Sequence, residues 1–364
     1  MKIADITNYL ESLAPLAFQE DYDNCGLLVG DPQGECRKAL LCLDVTIEVM
    51  EEAVRRDCNL VISHHPMIFK GIRRLTPGQP ETALITLAIR HDIAVYTIHT
   101  NLDNILNGLN ALLMSKLGVT GCRILVPRSG ALVKLTVFCP VDHADRVRQA
   151  IFDAGAGQIG NYDCCSFNMA GEGTFRASEA ANPFVGEKNV IHVEPEVRIE
   201  VILPGHLEKQ VVDAMIAAHP YEEVAYDLYA LHNKFPGAGA GLLGELGEPC
   251  GETELLMKLK EIFGIPVIRH SALCSRLVKR VAVCSGSGSF LIGAATAAGA
   301  DVLLTADLKY HDFFAAGNRI LLADIGHYES EKAVKEWLHA VLIRNFPTFA
   351  CLISNTDTNP VNYF

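Results

Sequence analysis

Two adjacent histidines stand where a buried, strand-like segment ends. His64 and His65 follow the apolar run CNLVIS within the segment VISHHPMIF. Near the C-terminus, ADIGHYESE carries His327 and Glu331, and a four-residue spacing places two side chains on one face of a helix. Imidazole and carboxylate groups at such spacing are suited to holding a shared metal ion. These two clusters therefore indicate a metal site.

A third cluster lies between them in the sequence. His99 and Asp103 in HTNLD have the same four-residue spacing and follow the apolar run IAVYTI. Histidine and carboxylate ligands suit zinc, manganese or iron. The alternative is that the histidines belong to an ordinary loop and to a polar helix start. Because three clusters of this kind each follow an apolar strand-like run, we favour a two-metal hydrolase.

Length and composition favour a soluble protein of two or three domains. The chain has 364 residues, 49% of them hydrophobic, and a mean hydropathy of +0.20. Its longest apolar stretch, residues 290–300, is shorter than the roughly 20 residues of a membrane helix, so we expect no membrane partner. Asp5 and Glu11 interrupt the N-terminal segment where a signal peptide needs an apolar core. We therefore expect a cytoplasmic location.

The charge balance argues against nucleic acid as a partner. There are 31 Lys and Arg residues against 43 Asp and Glu residues, a formal net charge of -12. Lys70, Arg73 and Arg74 form a local basic group that can hold a small phosphorylated substrate, and a solvated surface patch is the equal alternative. The 12 cysteines contain no C-x-x-C pair, which argues against a zinc ribbon or a redox motif.

Strands and helices alternate in the outer parts of the chain. The segment KALLCLDV predicts a buried strand, TIEVMEEAVRRD a helix with Val49, Ala53 and Val54 on its inner face, and CNLVIS the next strand. Late in the chain, VKRVAVC, a glycine-rich turn, FLIGAATAAG and ADVLLTAD repeat that design and end at Asp307. The repetition predicts an α/β fold with two related α/β lobes that form one metal-binding domain around a cleft.

The middle of the chain has a different pattern. Strand, helix and strand occur as LVKLTVFCP, ADRVRQAIFDAG and CCSFNM, and again as VRIEVILP, LEKQVVDAMIAAH and EEVAYDLYAL. This order is typical of a ferredoxin-like α+β insert, bounded by PRSG and NKFPGAGAG. We therefore predict lobe 1 at 1–128, the insert at 129–236 and lobe 2 at 237–364. One continuous large domain is the less favoured alternative.

Five motifs in a fixed order resemble a known family. DYDNCGLLVG, SHHPMIF, HTNLDN, TADLKYHD and DIGHYESE flank an insert that contains HPYEEVAYDLY. This set is similar to the GTP cyclohydrolase 1 type 2 homologues, Nif-three-like proteins also called dinuclear metal-centre hexameric proteins. The resemblance covers essentially the whole chain. It implies a homohexamer, a PII-like insert and two divalent metal ions per chain, with zinc favoured and manganese or iron as alternatives.

The resemblance also implies a ligand set. In that family the ligands fall on motif positions that match His64, His65, Asp103, His327 and Glu331. Asp103 and Glu331 are both candidates to bridge two ions, since each carboxylate has two oxygen atoms. We expect His99 to act as an acid/base or as a donor behind the ligands.

Three other polar residues end apolar runs, and we expect them either to line the cleft or to cap turns: Asp44, Asn24 and Asp307. The turn SGSGSF before a predicted helix can offer backbone N–H groups to a phosphate, and tight helix packing is its alternative role.

Two functions follow from these expectations. The first is a metal-dependent hydrolase that acts on a nucleotide-like small molecule through a metal-activated water. The family name implies opening of the imidazole ring of GTP at C8. The second is a non-catalytic hexameric protein that binds metal or a metabolite and recruits a partner through its insert.

Overall fold

The computed structural model describes residues 1–76 and 78–364. The chain divides into two compact units: an outer unit of residues 1–127 and 236–364, and an inserted unit of residues 128–235. The predicted α/β fold class is confirmed, since helices and strands alternate through most of the outer unit. The assignment of three domains with the boundaries given above stays a prediction.

The strands occur in both units. In chain order they are β1 (Gly26–Val29), β2 (Lys38–Cys42), β3 (Leu60–Ser63), β4 (Ala94–Thr97), β5 (Val119–Ser129), β6 (Leu132–Pro140), β7 (Phe167–Arg176), β8 (Ile191–Pro204), β9 (Tyr226–Leu231), β10 (Lys234–Gly251), β11 (Arg269–His270), β12 (Leu277–Ser287), β13 (Val302–Ala306), β14 (Leu321–Asp324) and β15 (Ala350–Ile353).

The helices are short to medium in length. They are α1 (Ile3–Leu13), α2 (Ile47–Arg55), α3 (Pro80–Arg90), α4 (Thr100–Asp103), α5 (Leu109–Lys116), α6 (Ala144–Asp153), α7 (Glu208–Ala218), α8 (Glu252–Phe263), α9 (Ile292–Ala297), α10 (His327–Glu331) and α11 (Val334–Asn345). In the part of the chain that the structure describes, no helix is long and apolar enough to cross a membrane.

The first sheet of the outer unit brings three of the predicted segments to one edge. Its strand order is β1-β4-β3-β2-β15, with β4, β3, β2 and β15 parallel and β1 antiparallel to β4. Strands β3 and β4 are buried along their whole length, as is typical of parallel strands covered on both faces. The carboxyl ends of parallel strands meet at one edge of a sheet. Asp44, His64 and His99 follow β2, β3 and β4 and therefore lie at that edge.

Helix α2 covers this sheet with a narrower face than its sequence predicts. Thr46 caps the helix by accepting a 3.3 Å hydrogen bond from Val49 N, and Val49, Met50 and Ala53 are buried. Val54 is 38% exposed, so its assignment to the inner face was wrong. Successive helical residues are about 100° apart, and Val54 therefore lies well outside the arc centred on Val49 and Ala53.

The second sheet has strand order β11-β14-β13-β12-β10-β5. Strands β12, β13 and β14 are parallel, β10 runs antiparallel to β12, and β11 runs antiparallel to β14. Asp307 follows β13 directly, and His327 begins α10 shortly after β14. The second sheet therefore delivers polar residues from its carboxyl edge in the same way as the first.

Each sheet of the outer unit contains a segment that is distant in sequence from its other strands. Strand β15, near the C-terminus, pairs in parallel with β2 of the first sheet. Strand β5 lies at the edge of the second sheet, and Leu113 and Met114 of α5 belong to the core of that sheet. The first sheet therefore contains a strand from the end of the chain, and the second contains one from before the insert.

The inserted unit has the ferredoxin-like element order β6-α6-β7-β8-α7-β9. Its antiparallel sheet has strand order β7-β8-β6-β9, and both helices pack on one core with the sheet. The predicted strand over CCSFNM begins later, at Phe167, and continues to Arg176. Cys164 adopts a left-handed backbone with φ 53°, which a β-strand does not accommodate.

Candidate metal centre

Six side chains predicted from the sequence lie at the carboxyl edges of the two sheets of the outer unit. They follow β3 directly, follow β4, or belong to the short helices α4 and α10: His64, His65, His99, Asp103, His327 and Glu331. His327 and Glu331 are the first and last residues of α10, and their side chains share one face, as the spacing predicts. Both sheets therefore contribute to one cluster.

Backbone hydrogen bonds hold the adjacent histidines in place. His64 N donates to Cys42 O at 3.3 Å, and His65 N donates to Leu43 O at 2.9 Å. The pairing between β3 and β2 thus continues past the end of both strands. Since the main chain of both histidines is fixed by the sheet, their imidazoles are positioned without help from a loop.

Each imidazole of the cluster has an oxygen atom close to its Nδ1. The pairs are His64 with Ile98 O at 2.8 Å, His65 with Asp44 Oδ1 at 2.7 Å, His99 with Asp23 Oδ1 at 2.8 Å and His327 with Asp307 Oδ2 at 2.7 Å. A carbonyl oxygen only accepts, so Nδ1 of His64 carries the proton and Nε2 presents a lone pair. Metal-binding histidines characteristically have such a partner on the nitrogen that faces away from the ion.

Three donor atoms form the tightest group in the cluster. Glu331 Oε2 lies 2.8 Å from His65 Nε2 and 3.1 Å from His327 Nε2. The two Nε2 atoms are 3.3 Å apart. Ligand atoms about 2.0–2.1 Å from a tetrahedral zinc ion are about 3.3 Å from one another. The spacing of these three atoms therefore fits a single first-row metal ion.

A second group shares His65 with the first. His64, His65 and His99 each offer one nitrogen atom, and these three atoms lie within 4.8 Å of one another. Asp103 Oδ1 lies 3.7 Å from His64 Nε2. The structure therefore brings together all five predicted ligands, and His99 lies beside two of them.

Two buried donor atoms of the cluster lack hydrogen-bond partners among the described residues. They are His64 Nε2 and Glu331 Oε2, and the contacts of Glu331 Oε2 with the neighbouring imidazoles do not have hydrogen-bond geometry. His64 is fully buried, and Glu331 is 2% exposed. A buried polar atom without a partner costs roughly 1–3 kcal/mol. Coordination of each atom by a bound cation would remove that cost, so these residues fit a metal.

The protonation of the imidazoles reflects the surrounding carboxylates. Burial lowers the pKa of His65, but the nearby carboxylates of Asp44 and Glu331 outweigh it and raise that pKa to about 10. Burial also lowers the pKa of His327, while Glu331 and Asp307 together raise it to about 9. For His64, complete burial dominates and lowers the pKa to about 3. A metal ion that binds here displaces protons, so its affinity falls as pH falls.

The two carboxylates of the cluster have opposite pKa shifts. Burial raises the pKa of Asp103 well above its usual value, and the nearby charge of Glu331 adds to that effect. Burial also raises the pKa of Glu331, but its contacts with His327 and His65 outweigh burial and lower that pKa. Two buried carboxylates in one cluster repel each other unless a cation lies between them.

The glycine-rich turn SGSGSF supports the ligands and does not offer its first N–H groups to a phosphate. Ser285 N donates to Asn110 Oδ1 at 2.7 Å, and Gly286 N donates to Ser330 Oγ at 3.0 Å. A Cβ at Gly286 would lie 2.3 Å from Glu331 Oε1, and its φ is +58°. Glycine at position 286 therefore gives the Glu331 carboxylate its space.

A cavity of about 490 Å³ opens beside the cluster. Further residues that line it are Glu20, Tyr22, Met67, Phe69, Ser285 and Phe290. Asp44 also lines this cavity, whereas Asn24 anchors a loop by donating from Nδ2 to Ile68 O at 2.7 Å. The cavity has the size and composition of a small-molecule site.

Sequence reasoning did not assign two residues of this site. Asp23, which orients His99, belongs to the noted motif DYDNCGLLVG, and it also accepts a 3.1 Å hydrogen bond from Thr100 N. Ser285 donates from Oγ to Asp103 Oδ1 at 3.2 Å. The acidic motif marks Asp23 as a candidate, but the motif does not show that Asp23 contacts His99, which is 76 residues away in the chain.

Comparison with known proteins extends over the whole chain. Residues 1–360 match the family model described as Duf34/NIF3 (NGG1p interacting factor 3). The GTP cyclohydrolase 1 type 2 homolog of Bacillus subtilis (strain 168) is 36% identical, over 98% of this chain and 97% of that protein. The protein of the same name from Halalkalibacterium halodurans is 35% identical over 100% of both.

A solved structure is similar along the full length as well. The Bacillus cereus protein related to NIF3 has a TM-score of 0.86 and 34% identity, and the match covers 100% of this chain and 99% of that chain. These matches include the histidine clusters and the inserted unit, and they confirm the resemblance that the five ordered motifs predict. The chain therefore belongs to the Duf34/NIF3 (NGG1p interacting factor 3) family.

Proposed function

We propose that this protein is a dinuclear metal-dependent hydrolase that acts on a nucleotide-like small molecule. The observation that carries the proposal is the pair of buried donor atoms, His64 Nε2 and Glu331 Oε2, that lack hydrogen-bond partners among the described residues beside an open cavity. Buried polar atoms normally have hydrogen-bond partners, whereas these two have none among the described residues. That arrangement is expected of a site built for a cation.

The ligand set we propose is the predicted one: His64, His65, Asp103, His327 and Glu331. Five protein ligands exceed the three that one open catalytic zinc ion has, so we assign them to two divalent ions. Zinc suits these ligands best, and manganese and iron are the alternatives. When bound, such ions lower the pKa of a water molecule and stabilise negative charge that develops on the substrate.

The remaining polar residues orient the ligands and move protons. Asp44 and Asp307 hold the Nδ1 atoms of His65 and His327, which directs each Nε2 toward Glu331. His99 lines the cavity and is held by Asp23 in the same way. We assign His99 as the acid/base that exchanges a proton with the substrate, because it is 12% exposed at its side chain and thus reaches the cavity.

The names of the relatives support a nucleotide-like substrate. The proteins from Bacillus subtilis and Halalkalibacterium halodurans are both called GTP cyclohydrolase 1 type 2 homologs. GTP is therefore the first substrate to test. The reaction that this name implies is hydrolytic opening of the guanine imidazole ring.

The test is a turnover assay on protein loaded with zinc, manganese or iron. GTP and generic phosphoesters are the substrates, His64→Ala is the blank, and His91→Ala, which alters an exposed histidine, is the matched control. We expect turnover by the wild type and the control, and none by the blank. Turnover that is equal in the blank contradicts the proposal. Two bound ions without turnover of any substrate would favour the non-catalytic, metabolite-binding role.

A further inference from the structure

We propose that the cavity beside the candidate metal centre holds a planar heteroaromatic ring against Phe69 and Phe290, and that Lys70, Arg73 and Arg74 hold a phosphate group attached to it. This inference rests on the proposed function, because it states how a nucleotide-like substrate is recognised. It also states which part of the substrate faces the metal ligands.

Exposed aromatic side chains line the cavity. Phe69 is 50% exposed and Phe290 is 67% exposed, although both lie beside a cluster of buried polar residues. Phe290 is the last residue of the segment SGSGSF, whose Gly286 gives Glu331 its space, so it lies close to the ligands along the chain. Exposed apolar side chains around a concave polar site are typical of ligand recognition.

The ring of Phe69 is fixed relative to the histidines. Its centroid lies 6.0 Å from that of His99, and the two planes are at 90°. The His99 ring in turn lies 5.1 Å from that of His64 and 5.3 Å from that of His65. A flat ring that stacks on Phe69 is therefore brought next to the imidazoles. Stacking on an aromatic side chain is worth roughly 5- to 150-fold in affinity per base.

A second cavity, lined by basic side chains, adjoins Phe69. It has a volume of about 680 Å³, and Lys70, Arg73 and Arg74 line it, with Glu81 as an acidic side chain in the same lining. Phe69 lines both this cavity and the one beside the metal ligands. In a chain with a formal net charge of -12, three cationic side chains within five residues are a local reversal of charge that favours an anion.

The shared position of Phe69 sets the orientation of the substrate. The metal ligands line one cavity and the basic side chains line the other, while Phe69 lines both. With its phosphate in the basic cavity, the substrate therefore has its ring in the cavity of the metal ligands. This orientation favours hydrolysis of the heterocycle over hydrolysis of a phosphoester. It therefore deepens the proposed function by separating two reactions that the metal centre alone would permit.

The experiment compares the affinities of GTP and inorganic tripolyphosphate for metal-loaded protein. Calorimetry in excess zinc gives both dissociation constants, and chromatography of the recovered GTP gives the fraction turned over during the titration, for which the GTP concentration is corrected. We expect the wild type to bind GTP at least about 5-fold more tightly than tripolyphosphate, because only GTP has a ring to stack. The double variant Phe69→Leu, Phe290→Leu should bring that ratio close to one. Phe184→Leu, an exposed phenylalanine of the inserted unit, is the matched control.

The basic side chains are tested with the same two probes. The triple variant Lys70→Gln, Arg73→Gln, Arg74→Gln should weaken both probes by a similar factor and leave their ratio unchanged. The inference is overturned if the wild type binds both probes equally, if the leucine variant keeps the wild-type ratio, or if the triple variant binds both probes normally.

Failure of the recognition proposal and failure of the hydrolase proposal are distinguishable. A ratio that collapses in the leucine variant, together with no turnover of GTP by the wild type, supports the recognition proposal and contradicts the hydrolase. Turnover of phosphoesters without any preference for GTP supports a hydrolase and contradicts the ring-binding cavity.

Discussion

Thr358 donates a 2.6 Å hydrogen bond from Oγ1 to Asp44 Oδ2. The other oxygen of Asp44 lies 2.7 Å from His65 Nδ1. A residue of the C-terminal segment therefore fixes the carboxylate that orients a candidate metal ligand. This hydrogen bond links two parts of the outer unit that are 314 residues apart in the chain.

Removal of this hydrogen bond should weaken metal binding without emptying the site. Thr358→Val keeps the shape of the side chain and removes its donor, so Asp44 and His65 lose orientation. We expect a loss of up to about 10-fold in metal affinity, since partners behind a ligand are typically worth 10- to 100-fold and Thr358 acts through one of them. Competition with a chromogenic chelator measures the change. Thr358→Ser keeps the donor and should restore affinity, and equal weakening by both variants would contradict a positioning role.

Metal content should separate ligands from the acid/base. We expect close to two first-row divalent ions per chain in protein prepared without chelator. His65→Ala and Glu331→Ala should each lose at least one ion at saturating metal, because each removes a ligand and leaves charge uncompensated. His99→Ala should keep both ions, with activity or affinity lower by about 10- to 100-fold. Elemental analysis measures the number of ions per chain in each variant. If His99→Ala loses an ion while Glu331→Ala keeps both, the roles of His99 and Glu331 are the reverse of those proposed.

Glu52 anchors the C-terminal segment to α2 and should make stability depend on pH. Its Oε2 accepts hydrogen bonds from Ser354 Oγ at 2.6 Å and from Thr356 Oγ1 at 2.9 Å. Burial raises the pKa of Glu52, but these hydrogen bonds and those from Asn355 and Arg56 lower it from 4.5 to about 2. Because the pKa is depressed in the folded state, this stabilisation is complete above about pH 5 and is lost as pH falls toward 2.

Glu52→Gln should therefore lower the free energy of unfolding by about 2–3 kcal/mol at pH 7 and by less at pH 3. Urea unfolding with chelator present, so that metal binding does not contribute, gives both values. Glu51→Gln alters an exposed neighbour and should have a small effect at both pH values. A loss of stability in Glu52→Gln that is equal at pH 7 and pH 3 would count against the depressed pKa.

The inserted unit should be dispensable for metal binding. A Cβ at Gly239 would lie 2.1 Å from Val126 O, so the chain on either side of the insert is in contact. Deletion of residues 128–235 with a short glycine linker should leave the ligands in place, since all of them lie in the outer unit. Elemental analysis of the folded deletion protein should give the same metal content as the full chain. Loss of both metal ions from a folded deletion protein would contradict the proposed division into domains.

Assembly is predicted from the family resemblance. We expect six chains per particle, because the motifs resemble those of hexameric proteins. Light scattering coupled to size-exclusion chromatography gives the mass, and one chain has a mass of 39.6 kDa. A monomer at micromolar concentration would refute the hexamer.

Much of the fold was predictable because its signals are local. Apolar runs such as CNLVIS are buried strands, and the alternation of strands and helices correctly predicts the α/β class. The four-residue spacing of His327 and Glu331 predicts their common face, because helix geometry depends on neighbouring residues alone. Polar residues directly after such runs were recognisable as candidates for the site. The exposed position of Val54 shows the limit of periodicity, which does not give the width of the face that a sheet covers.

The partners of those candidates were decided by the tertiary structure. His65 and His327 have Nε2 atoms 3.3 Å apart although 262 residues separate them, and Asp23 reaches His99 across 76 residues. Sequence patterns report whether a side chain is buried and on which face it lies. They do not report which strand pairs with which, and here β15 crosses from the end of the chain to β2. The carboxylate that meets each imidazole depends on that strand order, so the geometry of the site follows from long-range packing.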